Sequence, residues 1–159
     1  MSVGSAIIEN MFELRLPDVE ALCGLDDAGL VDTMRDAARL ESAATARKFA
    51  AAAQLYQRRL AEQDAEDREQ RCIDGWEQVA AEVAAAQGIS RGRAAGQLRY
   101  GLALAERMPK LGALVAAGDV DFRVISAVVF RTELMIDDDA VTRLDNWLVR
   151  HAARWSRRS

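Results

Sequence analysis

The stretch that decides the fold is GISRGRAAGQLRYGLALAERMPKL, residues 88–111. Gly88 is a typical helix stop, Ser90 is a good helix N-cap, and Pro109 lacks the N–H donor that a helix interior requires. Between these signals the apolar residues recur every three or four positions: Ala94, Leu98, Leu102 and Ala105. The stretch therefore predicts a helix that Ser90 caps and that Pro109 either ends or separates from the next helix.

A long helix is predicted upstream of this stretch, from Asp26 or Asp27 to about Arg71, because no proline interrupts the segment. Its last residues, EQDAEDREQR, carry no apolar stripe and indicate a frayed end or a solvated loop. The apolar positions expected to face the core are Leu30, Met34, Phe49, Ala53, Tyr56 and Leu60.

Four aspartates are predicted to start further helices: Asp74, Asp121, and the pair Asp137 and Asp138. A short helix, KLGALVAA, is predicted to stop at Gly118. The apolar residues on one face of these helices are Trp76, Val79, Ala80, Val83, Phe122, Ile125, Val129, Val141, Leu144, Leu148, Ala152 and Trp155. No segment reads as a secure strand, so the sequence predicts an all-α protein, an irregular bundle of about six helices with one long N-terminal helix.

Residues 1–25 are predicted to be an N-terminal extension, and residues 26–159 one helical domain that is truncated at its C-terminus. AIIENMFELRL in the extension is compatible with a short helix ended by Pro17, and Met11 is an alternative start. The N-terminus lacks the basic head and long apolar core of a signal peptide. No apolar run approaches the eighteen or so residues of a membrane span, so a cytoplasmic protein without a membrane partner is expected.

The sequence gives little support for a catalytic site or a metal-binding site. The chain has one histidine, His151, and two isolated cysteines, Cys23 and Cys72, which are expected to be reduced core residues. Asp137 to Asp139 are interpreted as the start of a helix, where the macrodipole favours carboxylates, rather than as metal ligands. The glycines of residues 88–101 match neither a phosphate loop nor a dinucleotide fingerprint. We therefore expect no catalytic residue, no metal, no cofactor and no enzymatic activity.

A nucleic-acid contact is the most specific site that the sequence suggests. Acidic residues outnumber basic ones in residues 1–90, whereas basic residues outnumber acidic ones in residues 91–159. The two helices joined at Gly88 also have the order of a helix-turn-helix unit, in which the second helix meets the DNA. The candidate contact residues are Arg91, Arg93, Gln97, Arg99 and Arg107. The alternative is a solvated face of a bundle, since Arg91 and Arg93 lie about 200° apart around a helix.

The same region resembles the actinobacterial 13E12 repeat family. The resemblance rests on GISRGRAAGQLRYGLALAERMPKLGALVAAGDVDFRVISAVV, residues 88–129, on WEQVAAEVAAAQGIS before it, and on the opening segment, residues 11–55. In that family an N-terminal helical domain of unknown function usually precedes an HNH endonuclease domain, which implies a role connected with DNA. No position of this sequence matches the HNH metal motif, so the resemblance assigns no catalytic residue here.

Three functional hypotheses remain open at this point. The first is a non-catalytic module associated with DNA or with a separately encoded HNH fragment. The second is a protein–protein or self-association module, whose interface residues would be Trp147, Leu148 and Trp155. The third is a remnant of a mobile-element gene without activity.

Overall fold

The computed structural model describes the backbone of residues 16–62 and 68–155 and the side chains of residues 16–62 and 75–152. The α-helices in these ranges are α1 (Asp27–Ala61), α2 (Arg68–Gln87), α3 (Arg91–Leu102), α4 (Pro109–Ala116), α5 (Phe122–Thr132) and α6 (Asp138–Trp155). A 3-10 helix, Val19–Gly24, precedes α1, and a π-helical turn, Ala103–Arg107, follows α3. The described chain contains no β-strand, and the prediction of an all-α bundle with one long N-terminal helix is confirmed.

Helix α1 is the central element of the fold, because both apolar clusters of the core pack against it. The first cluster joins α1 to α2 and α3 through Ala52, Val79, Ala80, Val83, Ala84, Ala94 and Leu98. The second joins α1 to the π-helical turn and the last three helices through Ala46, Ala103, Leu104, Met108, Leu111, Val115, Val120, Ile125, Val129, Val141, Leu148 and Ala152. Aromatic rings reinforce the middle of α1, where Phe49 lies 5.1 Å from Phe122 and 5.8 Å from Tyr100, measured between ring centroids. Helix α3 is therefore held from two sides, which fixes the orientation of its N-terminus.

Two glycines allow backbones to approach closely. A Cβ atom at Gly101 on α3 would lie 2.2 Å from the carbonyl oxygen of Phe49 on α1. Gly118 has a φ of 78°, and a Cβ there would lie 2.5 Å from the carbonyl oxygen of Arg39. Any side chain at either position would force α1 away from its neighbour.

The predicted helix starts and stops are largely confirmed. The side chains of four capping residues accept a hydrogen bond from a first-turn N–H, as expected for N-caps: Asp26, Ser90, Asp121 and Asp137. The two predicted glycine stops have positive φ, 62° at Gly88 and 78° at Gly118, the left-handed conformation that ends many helices. Pro109 occupies the first turn of α4, where its missing N–H costs nothing.

The boundary between the first two helices differs from the prediction. α1 ends at Ala61, about ten residues before Arg71, where the apolar stripe gives way to the charged run EQDAED. α2 begins at Arg68, so Asp74 lies inside that helix and is not its N-cap. The apolar face predicted for α2 is correct, with Val79, Ala80 and Val83 buried.

The π-helical turn changes which residues of the next segment face the core. The N–H of Met108 donates to the carbonyl of Ala103, 2.9 Å away, so the turn holds one residue more than an α-helical turn. Ala103 and Leu104 are buried as a result, whereas Ala105, which the helical period placed in the core, is exposed. The prediction for Ala105 was wrong because it assumed an unbroken α-helical period.

Several smaller predictions have different outcomes. Met34 is 63% exposed, since the first turns of α1 extend beyond the rest of the bundle core, and Cys23 is exposed rather than buried. The side chain of Cys72 lies outside the described residues, as does the N-terminal stretch with Met11.

Candidate nucleic-acid interface

The turn between α2 and α3 is fixed by local hydrogen bonds. After Gly88 the N–H of Ile89 donates to the carbonyl of Ala84, 3.1 Å away, which closes the end of α2. The hydroxyl of Ser90 accepts from the N–H of Arg93 at 3.3 Å and starts α3. Helix, glycine turn and second helix thus follow one another as in a helix-turn-helix unit.

Gln97 holds the two helices together. Its side-chain amide exchanges two hydrogen bonds with the amide of Gln87, the last residue of α2, at 2.8 and 3.1 Å. Both groups are partly buried, so this exchange satisfies the polar atoms that the contact covers. Gln97 therefore has a structural role at the crossing of α2 and α3.

Arg91 and Arg93 project from the first turn of α3 and are exposed. Neither guanidinium has a hydrogen bond or ion pair with another described side chain. The first turn of α3 contains no acidic residue, so nothing on the helix itself neutralises these two charges. The N-terminal end of a helix also carries the positive end of the macrodipole, which adds to the attraction for anions.

Arg99 and Arg107 have partners elsewhere in the protein. Arg99 forms an ion pair with Glu133, with an Nη1–Oε1 distance of 3.2 Å, and both side chains are substantially exposed. The Nη2 of Arg107 donates to the carbonyl oxygens of Thr132 at 3.0 Å and Met135 at 2.8 Å. Arg107 thereby donates to carbonyls at and just after the C-terminal end of α5, where the carbonyl of Thr132 also accepts from the N–H of Met135 at 3.0 Å.

The five candidate contact residues thus do not form one surface of free side chains. Three of them, Gln97, Arg99 and Arg107, have partners within the protein, whereas Arg91 and Arg93 remain available at the start of α3. The sequence could not distinguish these groups, because their partners lie 10 to 34 residues away along the chain. A nucleic-acid role of the five residues stays a prediction.

The three candidate interface residues of α6 also have different environments. Trp147 is 46% exposed and stacks on His151, with 4.1 Å between the ring centroids. Leu148 is 4% exposed and belongs to the second core cluster, so it contributes almost nothing to the surface. The side chain of Trp155 lies outside the described residues.

Sequence reasoning missed an exposed apolar group near the end of α5. Phe130, Leu134 and Ile136 are 75%, 90% and 95% exposed. Phe130 does not lie on the helical stripe of Ile125 and Val129, so its position in the helical period could have predicted an exposed side chain.

The described residues contain no group of three or more His, Cys, Asp or Glu side chains that could hold a metal ion. Among the helices in the same ranges, none combines the length and the apolar character needed to cross a lipid bilayer.

Comparison with known proteins identifies relatives without a described activity. The family profile described as "Domain of unknown function (DUF222)" matches residues 36–159. Uncharacterized proteins MT2160 and Rv2100, from two strains of Mycobacterium tuberculosis, are each 43% identical over 155 residues, which is 98% of this chain and 28% of theirs. Uncharacterized protein Rv3776 of Mycobacterium tuberculosis is 41% identical over 145 residues, 91% of this chain and 27% of the relative. The chain therefore spans less than a third of the length of these relatives, and no solved structure matches it.

Proposed function

Because the chain belongs to the DUF222 family, whose function is unknown, we propose a role from its surface: a non-catalytic helical module that contacts DNA through the N-terminal end of α3. The observation that carries the proposal is the pair of exposed arginines, Arg91 and Arg93, at the start of the second helix of a helix-turn-helix arrangement.

The proposed contact is with backbone phosphates rather than with base edges. Arg91 and Arg93 lie on different sides of α3, about 200° apart, so they suit two phosphates that flank a helix better than one base pair. Gln97, the residue type best suited to reading adenine, is already paired with Gln87. Phosphate contacts position a protein on DNA without specifying a sequence.

The resemblance to the 13E12 repeat family supports the connection with DNA, since the helical domain of that family usually accompanies an HNH endonuclease domain. A partner of this kind, an HNH-containing fragment made as a separate chain or as part of a longer one, belongs to the proposal. The catalytic role is assigned to that partner, and the proposed compartment is the cytoplasm.

A fluorescence-anisotropy titration of a labelled 20-base-pair duplex at about 50 and 200 mM salt tests the proposal. Because phosphate contacts release condensed cations, the association constant must fall as salt rises. Absence of binding at the lower salt concentration would remove the DNA role and leave the inactive remnant or the interaction module.

A protein–protein interaction module is the second candidate. The observation in its favour is the apolar surface that the fold leaves open, including Trp147 on α6 and the group after α5. Exposed apolar side chains that form a contiguous patch mark interaction sites, whereas those scattered singly do not.

A further inference from the structure

The side of α5 that faces away from the bundle is an apolar surface that no other element in the described part of the chain covers. Ile125, Val129 and Thr132 are buried on the inner side of the helix. The exposed outer face carries Ala127 and Phe130, and Leu134 continues it just past the helix end. Val124 and Val128 are half-buried and lie on the flank of α5 between this face and the core. Phe130 and Leu134 are 75% and 90% exposed, so this surface places large apolar side chains in water.

A shallow groove of about 450 Å³ runs along this flank of α5, beside the outer face. Val124, Ala127 and Val128 line its middle, and Arg123 and Arg131 stand at its two ends. Arg131 follows Arg123 at position i+8, which places the two residues about 12 Å apart along the helix axis. An apolar strip with a positive charge at each end is the pattern that a partner must match.

The charges of Arg123 and Arg131 are not neutralised by a described carboxylate. The neighbouring carboxylates are engaged: Asp121 accepts from the backbone N–H of Arg123, Asp119 pairs with Arg39, and Glu133 pairs with Arg99. Neither Arg123 nor Arg131 forms an ion pair with a described side chain. An opposite charge that meets them on the outer face would therefore form new pairs without breaking existing ones.

Charge complementarity decides between the possible occupants. A second copy that packed its own α5 against this face with two-fold symmetry would bring arginine against arginine, in either a parallel or an antiparallel alignment. DNA phosphates would find no partner in the valines and Phe130. An amphipathic helix matches the surface if its apolar stripe carries acidic residues about two turns apart.

We infer that the outer face of α5 docks such an acidic amphipathic helix, and that the additional polypeptide of the longer relatives supplies it. The relatives have room for this segment, since the matched region makes up 28% of their length. The inference deepens the interaction-module candidate and is independent of DNA binding by α3.

Isothermal titration calorimetry with two synthetic 20-residue peptides tests the charge pattern. Both peptides carry the same leucine and alanine stripe, one with Glu at positions i and i+7 and the other with Lys there. We expect the Glu peptide to bind at least tenfold more tightly than the Lys peptide, with a negative heat-capacity change from apolar burial. The double substitution Arg123→Glu/Arg131→Glu should reverse this order. Equal affinity for both peptides, or no binding of either, would overturn the inference.

The apolar part is tested with Phe130→Ser/Leu134→Ser, which should weaken binding of the Glu peptide at least tenfold. The matched control is Val31→Ser/Met34→Ser, which changes two apolar residues of α1 that are 49% and 63% exposed and should leave the affinity unchanged. Circular dichroism checks that each variant is folded. Equal affinities of the two variants, or a wild-type dimer in light scattering that Phe130→Ser/Leu134→Ser dissociates, would refute the docking site.

The source of the helix is tested with the part of MT2160 outside the 155 matched residues, purified as a separate chain. It should bind wild-type protein and lose binding to the Phe130→Ser/Leu134→Ser variant, whereas retained binding would contradict the assignment. The DNA titration is a separate measurement, so peptide binding without DNA binding would refute only the role of α3.

Discussion

The carboxylate of Asp145 on α6 caps the N-terminus of α4 by accepting a hydrogen bond from the backbone N–H of Leu111, with an Oδ1–N distance of 2.9 Å. Its other oxygen accepts from the N–H of Lys110 at 3.0 Å. The residue before α4, Met108, offers no capping side chain of its own. Asp145 is only 3% exposed, so a cap supplied from a distant helix ties α6 to α4 inside the core.

Replacement of this carboxylate should destabilise the protein. We expect Asp145→Ala to lower the free energy of unfolding by about 1–3 kcal/mol, because the buried N–H of Leu111 and the partly buried N–H of Lys110 would lose their acceptors. Urea denaturation followed by circular dichroism measures the change. Asp139→Ala is the control, since that exposed acid in the first turn of the same helix should contribute less than about 1 kcal/mol. An equal effect of both substitutions would argue against the cap.

The close approach of α1 and α3 predicts opposite effects for two glycines of the same helix. Gly101→Ala should destabilise by about 1–3 kcal/mol or more, because its Cβ would meet the carbonyl of Phe49. Gly96→Ala should stabilise by up to about 1 kcal/mol, since the nearest atom to a Cβ there is the tip of Tyr100 at 4.0 Å. Thermal unfolding of both variants provides the measurement, and stabilisation by Gly101→Ala would contradict the packing.

Substitution of Arg107 tests whether this arginine has a structural role or contacts DNA. Arg107→Ala should lower the free energy of unfolding by about 1–3 kcal/mol, because the carbonyl of Met135 would lose its charged donor and that of Thr132 would keep only the N–H of Met135. At a temperature where the variant is fully folded, its affinity for duplex DNA should equal that of the wild type. The opposite combination, unchanged stability with weaker DNA binding, would return Arg107 to the candidate interface.

Local signals carried most of the fold prediction. Caps such as Ser90 and Asp121 and stops such as Gly88 and Gly118 act within a few residues, so the sequence alone reveals them. The face of Ala105 was misassigned because a π-helical turn is decided by the packing of the neighbouring helices.

The candidate site was harder to predict because contacts between residues distant in sequence determine which of its side chains are free to bind a ligand. Gln97, Arg99 and Arg107 look like surface side chains in the sequence, yet each meets a partner on another element. Arg91 and Arg93 have no such partner among the described residues. Burial of Leu148 has the same origin, since a helical stripe does not show which of its members face a neighbouring helix.

The salt dependence of DNA binding by the double variant Arg91→Ala/Arg93→Ala tests the central claim most directly. Each phosphate contact contributes about 0.9 to the slope of log K against log salt concentration, so losing two contacts should make the slope shallower by about 2. The control, Arg143→Ala/Arg150→Ala, removes two exposed arginines of α6 and should keep the wild-type slope. A shallower slope confined to the α3 variant is the result that we predict; the same slope for wild type and both variants would contradict a DNA contact at the start of α3.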